Sequence, residues 1–226
     1  MTDTGPTDTG SSRFDAVLFD CDGVLVDSEP MTFALLGEDL ARFGLPLSPH
    51  EMEHMFIGGT ITGVGQRAVE MGARLPEDWV ADFYERLYAR LALGTALVTG
   101  IEAVMDRLDA AGLPYAVGSN GTLRKMQVTL GQHPGLWARL EGRMFSGQDL
   151  GCPKPAPGLY LHAAAALGAD PARCAVIEDS ATGARAARAA GMACFGYAAT
   201  GSGAVLAAEG ATVFTSMQDL PALLGL

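Results

Sequence analysis

The 226-residue chain has room for one domain with a large insertion or for two modest domains, and at 49% apolar it can build a sizeable core. A net charge of −11 argues against a nucleic-acid partner, because phosphate backbones are held by basic stripes. No apolar run reaches the roughly 18 residues of a membrane helix, and the scattered Cys21, Cys152, Cys174 and Cys194 form no CxxC pair, so a membrane and zinc are not expected and a cytoplasmic protein with reduced thiols is.

Residues 1–12 repeat TDTG without an apolar run and read as a flexible tail without the regions of a signal peptide. FDAVLFD (14–20) then reads as a buried strand that ends among acids. Phe33, Leu36, Leu40 and Phe43 follow at helical spacing, with Gly44 as a stop. A second helix is expected over 48–56, with Ser48 as N-cap and Pro49 at its first position. GGTITG (58–63) reads as a loop, and helical patterns resume over 64–72 and 76–93, the latter with Trp79, Phe83, Leu87 and Leu91 on one face. Residues 30–94 therefore form a small all-helical unit.

From about residue 97 strands and helices alternate. Strands are expected at 115–120, 145–149, 174–179, 193–198 and 211–215, with helices over 101–112, 122–131, 157–168 and 181–190. Such alternation implies a parallel sheet covered on both faces. The fold class is α/β: a Rossmann-like core of residues 13–29 and 95–226, with a helical cap (30–94) inserted after the first strand.

In such a sheet, ligands bind beyond the carboxyl ends of the strands. Asp20 and Asp22 close the first strand, Ser119 and Asn120 the 115–120 strand, and Glu178 and Asp179 the 174–179 strand. Lys154, one of only two lysines, lies in a proline-braced loop between the last two. Carboxylates meeting at one point repel unless a cation joins them, and oxygen ligands favour Mg²⁺ together with a substrate phosphate. Lys154 and the metal would neutralise a phosphoryl group within an acidic protein. The Ser119 hydroxyl would hold phosphate oxygens, one carboxylate would act as nucleophile and another would move protons.

These motifs in this order, DCDGVLVDSE (20–29), SNG (119–121), Lys154 and IEDSATGARAARAAGM (177–192), resemble the haloacid dehalogenase superfamily of phosphoryl-transfer enzymes. The resemblance covers the chain from residue 13, and 30–94 looks like the family's small cap. It implies that Asp20 is the nucleophile and Asp22 the acid/base. Mg²⁺ would sit on Asp20, the Asp22 carbonyl and Asp179, with Glu178 near or in its shell, and Ser119, Asn120 and Lys154 would hold phosphate. The chain looks most like the β-phosphoglucomutase-like group, and SNGTLRKMQ is similar to bacterial 6-phosphogluconate and sugar-phosphate phosphatases. Thr32 stands where the mutases carry a histidine, and GGTITGVGQ where they carry an arginine–serine pair. The expectation is thus a Mg²⁺-dependent phosphatase of sugar phosphates or phosphorylated sugar acids, working as a monomer; a mutase and a phosphometabolite sensor are the alternatives.

Specificity falls to the cap loop, with Gly58, Gly59 and Thr60 over the crevice. Arg67, Arg74, Arg86 and Arg90 are candidates for reading a sugar carboxylate. His50 and His54, one helical turn apart, read as a solvated face without a third metal ligand. Asp149 either positions Lys154 or serves its loop, and Asp27 either joins the metal site or helps start the next helix.

Overall fold

A computed structural model describes residues 13–56 and 59–226; the expected tail and Gly58 lie outside the described residues. β1 (Ala16–Phe19) is buried along its whole length, as a central parallel strand must be. Ala16 and Leu18 face one side of the sheet and Val17 and Phe19 the other, the period-2 alternation of a strand. After a turn at Gly23, whose φ of 77° suits glycine, β2 (Val26–Asp27) leads into four helices: α1 (Glu29–Arg42), α2 (Pro49–Phe56), α3 (Ile61–Glu70) and α4 (Trp79–Leu91). β3 (Ala96–Leu97) returns antiparallel to β2, setting Val26 opposite Leu97 and Asp27 opposite Ala96. The two passages between core and cap are thus stitched into one ribbon, which sequence periodicity did not reveal because two-residue strands have no period.

The chain then alternates through α5 (Ile101–Ala111), β4 (Tyr115–Ser119), α6 (Leu123–Leu130), α7 (Pro134–Leu140), β5 (Met144–Ser146), α8 (Gly158–Ala166), β6 (Cys174–Glu178), α9 (Ala181–Ala189), β7 (Ala193–Tyr197), α10 (Ala204–Ala208), β8 (Thr212–Phe214) and α11 (Leu220–Leu224). Among the described residues the main sheet has six strands in the order β5-β4-β1-β6-β7-β8, all parallel. β1 lies between β4 and β6, so the three strand ends that carry acids and Ser119 are neighbours. One face packs Val17, Phe19, Ile101, Leu108 and Leu220 together; the other packs Leu18, Tyr160 and the alanines of α8 and α9. The small residues of GARAARAAG serve this close packing, with Gly183, Ala184, Ala186 and Ala187 buried.

The cap has its own core, in which Leu36, Leu40, Trp79, Phe83, Leu87 and Leu91 are all buried. Ser48 and Glu51 form a capping box before α2: Ser48 N–H donates to Glu51 Oε2 at 2.8 Å, and Glu51 N–H to Ser48 Oγ at 3.3 Å. The expected 58–63 loop is shorter than its composition suggests. Thr60 Oγ1 accepts from Gly63 N–H at 3.1 Å, so α3 starts at Ile61 and Gly63 belongs to it. The expected connection after α6 contains α7, which Pro134 opens in its first turn. The 145–149 strand shortens to Met144–Ser146: Gly147 N–H makes the last ladder bond, to Ser119 O at 2.8 Å, and the chain then turns, with Leu150 N–H donating back to Ser146 O at 3.0 Å.

Candidate active site

Asp20 leaves β1 with its N–H donating to Ile177 O of β6 at 2.9 Å, which fixes the carboxylate over the sheet's end. Its Oδ1 accepts from Lys154 Nζ at 2.7 Å, and the same ammonium donates to Glu178 Oε1 at 2.5 Å. Lys154 is positioned through its backbone: Asn120 Oδ1 accepts from Lys154 N–H at 2.7 Å and Asn120 Nδ2 donates to Lys154 O at 3.1 Å. Asn120, expected on phosphate, lines the crevice and has both ends of its amide on the loop that carries the lysine. The Lys154–Pro155 peptide is cis. Ser119 Oγ accepts from Gly121 N–H at 2.9 Å, which leaves the hydroxyl proton to donate into the crevice.

Glu178 is fully buried. Besides Lys154, its Oε1 accepts from Tyr160 Oη at 2.7 Å; Oε2 accepts from the N–H groups of Asp179 and Ser180 at 3.2 Å and from Ser180 Oγ at 2.9 Å. The carboxylate occupies the place where a side chain on Gly183 would begin, so α9 needs glycine there. With every partner close, Glu178 anchors Lys154, and a cation here would draw chiefly on Asp20 and Asp179. Carboxylate oxygens of Asp20, Glu178 and Asp179 lie within 4.8 Å of one another. Burial, then the charges of Asp20 and Glu178, push Asp179 well above the usual carboxylate range. Burial likewise raises Asp20 to about 7, with Lys154 opposing and Glu178 and Asp22 adding to it. A hard-oxygen donor set whose members raise one another's proton affinity is the chemistry of a divalent-cation site.

Asp22 sits apart from that cluster. Lys125 Nζ lies 2.8 Å from its Oδ1, and Ser28 Oγ donates to the same oxygen. Burial alone would raise Asp22, but Lys125 and the two hydrogen bonds outweigh it and hold the group below its usual value. Lys125 was not singled out from the sequence as a site residue; its rarity as the second of two lysines, six positions after Ser119, was the available signal. Asp149 does not reach Lys154: its Oδ2 accepts from Leu123 N–H at 3.1 Å, in the first turn of α6. Asp27 is exposed in the β2–β3 ribbon rather than at the acid cluster.

Above these groups lies a crevice of about 800 Å³, counting its open mouth. The core side contributes Asp20, Asp22, Ser119, Lys125, Lys154 and Asp179; the cap side adds Phe33, Leu36, Phe56, Val64 and Leu87, with Gly59 and Thr60 at the cap loop. Tyr84 and Gln148 join the two sides, Gln148 Nε2 donating to Tyr84 Oη at 2.8 Å and to Asn120 O at 2.6 Å. The candidate arginines do not line it. Arg67 pairs with Glu70, Arg86 with Asp39 and Asp82, and Arg90 with Glu38; Arg74 is exposed.

An acid at the end of β1, a lysine against it and a helical cap above them are the arrangement of a capped α/β hydrolase. The profile of the haloacid dehalogenase-like hydrolases matches residues 14–191, and the chain belongs to that family. It is 32% identical over 213 residues to 6-phosphogluconate phosphatase of Escherichia coli (strain K12), covering 94% of this chain and 95% of that one. It is 33% identical over 217 residues to a plasmid-borne phosphoglycolate phosphatase of Cupriavidus necator, covering 92% of each. Among solved structures, a family hydrolase from Deinococcus radiodurans R1 with bound phosphate and sodium superimposes with a TM-score of 0.75 at 35% identity, covering 95% of this chain and 96% of that one.

Proposed function

We propose that this phosphoric monoester hydrolase acts on small phosphorylated metabolites, sugar phosphates or phosphorylated sugar acids, by transferring the phosphoryl group to Asp20. The observation that carries the reading is Lys154 Nζ, 2.7 Å from Asp20 Oδ1 at the floor of the capped crevice. The ammonium opposes the effect of burial on the nucleophile and can meet phosphoryl oxygens, while the Ser119 hydroxyl donates to another. An Asp20 oxygen attacks phosphorus as the ester P–O bond breaks. Asp22 protonates the leaving oxygen, then takes a proton from the water that hydrolyses the aspartyl-phosphate and regenerates Asp20. Lys125 favours the ionised form of Asp22 that the second step needs. Phosphoryl oxygens entering beside Lys125 would draw off part of that charge and ease the protonation that the first step needs. Mg²⁺ would be held by Asp20 and Asp179, with the Asp22 carbonyl and with Glu178 behind them, and when bound it would neutralise phosphoryl charge.

A phosphate-release screen over many phosphometabolites, with Mg²⁺ and again with excess EDTA, tests this. Inorganic phosphate should appear from several sugar phosphates and stop on chelation. Conversion of β-glucose 1-phosphate to glucose 6-phosphate in the presence of glucose 1,6-bisphosphate, without phosphate release, would make the protein a mutase; no turnover of any ester would leave a binding protein.

A further inference from the structure

We propose that the leaving-group half of the crevice selects monophosphate esters of uncharged alcohols and rejects substrates that carry a second anionic group. The inference rests on the phosphatase reading above and narrows its substrate class. A phosphoryl group set against Asp20 turns its ester oxygen toward the cap. The surfaces it meets there are apolar: Phe33 and Leu36 from α1, Phe56 from α2, Val64 from α3 and Leu87 from α4. Among the described residues, the polar side chains beside them are the neutral hydroxyls of Thr32, Thr60 and Tyr84, with the Glu29 carboxylate at the start of α1. Thr60 Oγ1 accepts from Gly63 N–H, so its proton is left to donate. Thr32 Oγ1 donates to Ser28 O at 2.9 Å, so its oxygen is left to accept. Tyr84 is held by Gln148. Such a mixture suits a neutral polyol, whose hydroxyls find donors and acceptors while its C–H faces lie on aromatic rings.

The charges point the same way. Among the described residues, the cations lining the crevice are Lys125 and Lys154, and both are already engaged on the phosphate side, by Asp22 and by Asp20 with Glu178. The cap's Arg67, Arg86 and Arg90 pair with acids away from the crevice. Glu29 also lines it, and its charge acts on Asp179 in the acid cluster. A carboxylate or second phosphate on the leaving group would give up its water against the apolar walls and gain no cation from the cap. Burying an unpaired charge costs far more than burying a hydroxyl, so such a surface discriminates against the ionised group.

Two matched pairs isolate charge from shape: glucitol 6-phosphate with 6-phosphogluconate, and 2-hydroxyethyl phosphate with 2-phosphoglycolate. Phosphate release by the wild-type protein with Mg²⁺ should give a kcat/KM at least tenfold higher for the neutral member of each pair. Thr32→Lys should reduce both ratios at least tenfold by raising the anionic member. An anionic member that matches or exceeds its neutral partner, while p-nitrophenyl phosphate is hydrolysed, overturns this inference and leaves the phosphatase reading standing. Failure to hydrolyse any of the five esters overturns both. A ratio unmoved in a Thr32→Lys protein that melts like wild type removes the selection from this half of the crevice; if that variant does not fold, the wild-type ratios decide alone.

Discussion

Asp20 and Glu178 share one lysine but answer to different constraints. Asp20 opens onto the crevice, whereas Glu178 is fully buried with both oxygens engaged. Replacing Asp20 by asparagine keeps its shape and leaves Lys154 paired with Glu178, but removes the nucleophile. Asp20→Asn should therefore retain less than a few per cent of wild-type phosphate release while melting close to the wild-type temperature; substantial activity in the pure variant would take the nucleophile's role from Asp20. A less obvious residue carries an equal constraint. A methyl group on Gly183 would fall on the Glu178 carboxyl, and Glu178 cannot yield without losing Lys154, Tyr160 or Ser180. Gly183→Ala should cost about 1–3 kcal/mol of stability, as overpacking does, and lower kcat/KM more than tenfold because Lys154 shifts with its anchor. Denaturant unfolding and phosphate release measured together check this. A variant as stable and active as wild type would show that the carboxylate has room to move.

At the scale of elements, the cap holds a polar lock of its own. Asp39 of α1 is buried, and its carboxylate accepts from Trp79 Nε1 at 2.9 Å and from Arg86 Nη1 and Nη2 at 2.7 and 2.6 Å. Burial would raise Asp39, but the Arg86 and Trp79 hydrogen bonds outweigh it and hold the group below its usual value. Because the folded carboxylate titrates below the unfolded one, its contribution is complete above the ordinary carboxylate range and is lost as pH falls through the folded value. Trp79 fluorescence should therefore report loosening of the cap under acid. Asp39→Asn should flatten that acid response and cost about 1–2 kcal/mol at neutral pH, since Arg86 is about one-third exposed and keeps Asp82. An identical acid profile in the variant would place the titrating group elsewhere. The helices around this lock were legible in the sequence because Leu36, Leu40, Trp79, Phe83, Leu87 and Leu91 repeat at helical spacing. The apolar strands β1, β4 and β6 and the polar residues at their ends were legible for the corresponding reason. What periodicity could not carry was tertiary: Lys125 against Asp22, Asn120 on the Lys154 backbone, and the cap arginines drawn to acids up to 52 positions distant. Those pairings depend on which faces of separate elements meet, and spacing along one element is silent about that.

The whole molecule is a sheet and a cap joined by the β2–β3 ribbon and by a polar seam between α4 and α6. In that seam Tyr88 Oη lies 2.7 Å from Thr122 Oγ1, Arg124 forms a two-pronged ion pair with Glu85, and the Arg124 guanidinium sits 4.6 Å from the centre of the Tyr88 ring. Tyr84 stacks on Tyr88 at 5.6 Å and carries the seam to Gln148 at the crevice. The Arg124 and Glu85 side chains are 58% and 61% exposed, so their pair contributes little to stability and weakens with salt. Such a contact cannot decide whether the protein folds, but it can bias an equilibrium between open and closed cap. Were the cap to swing open, the core would still reach the phosphoryl group, whereas the apolar cap surfaces would no longer reach the leaving alcohol. Arg124→Ala should therefore raise KM for an alkyl or sugar phosphate two- to fivefold at low ionic strength, with melting temperature unchanged. It should have less effect on p-nitrophenyl phosphate, whose good leaving group depends little on closure. Raising salt should bring the wild-type protein toward the variant and leave the variant nearly unmoved, because screening acts on the pair that the variant already lacks. The decisive measurement is the KM of both proteins for both ester types across a salt series. Equal losses on the two ester types, or parallel salt dependence in wild type and variant, would make the seam a fixed joint and move the control of closure to the β2–β3 ribbon.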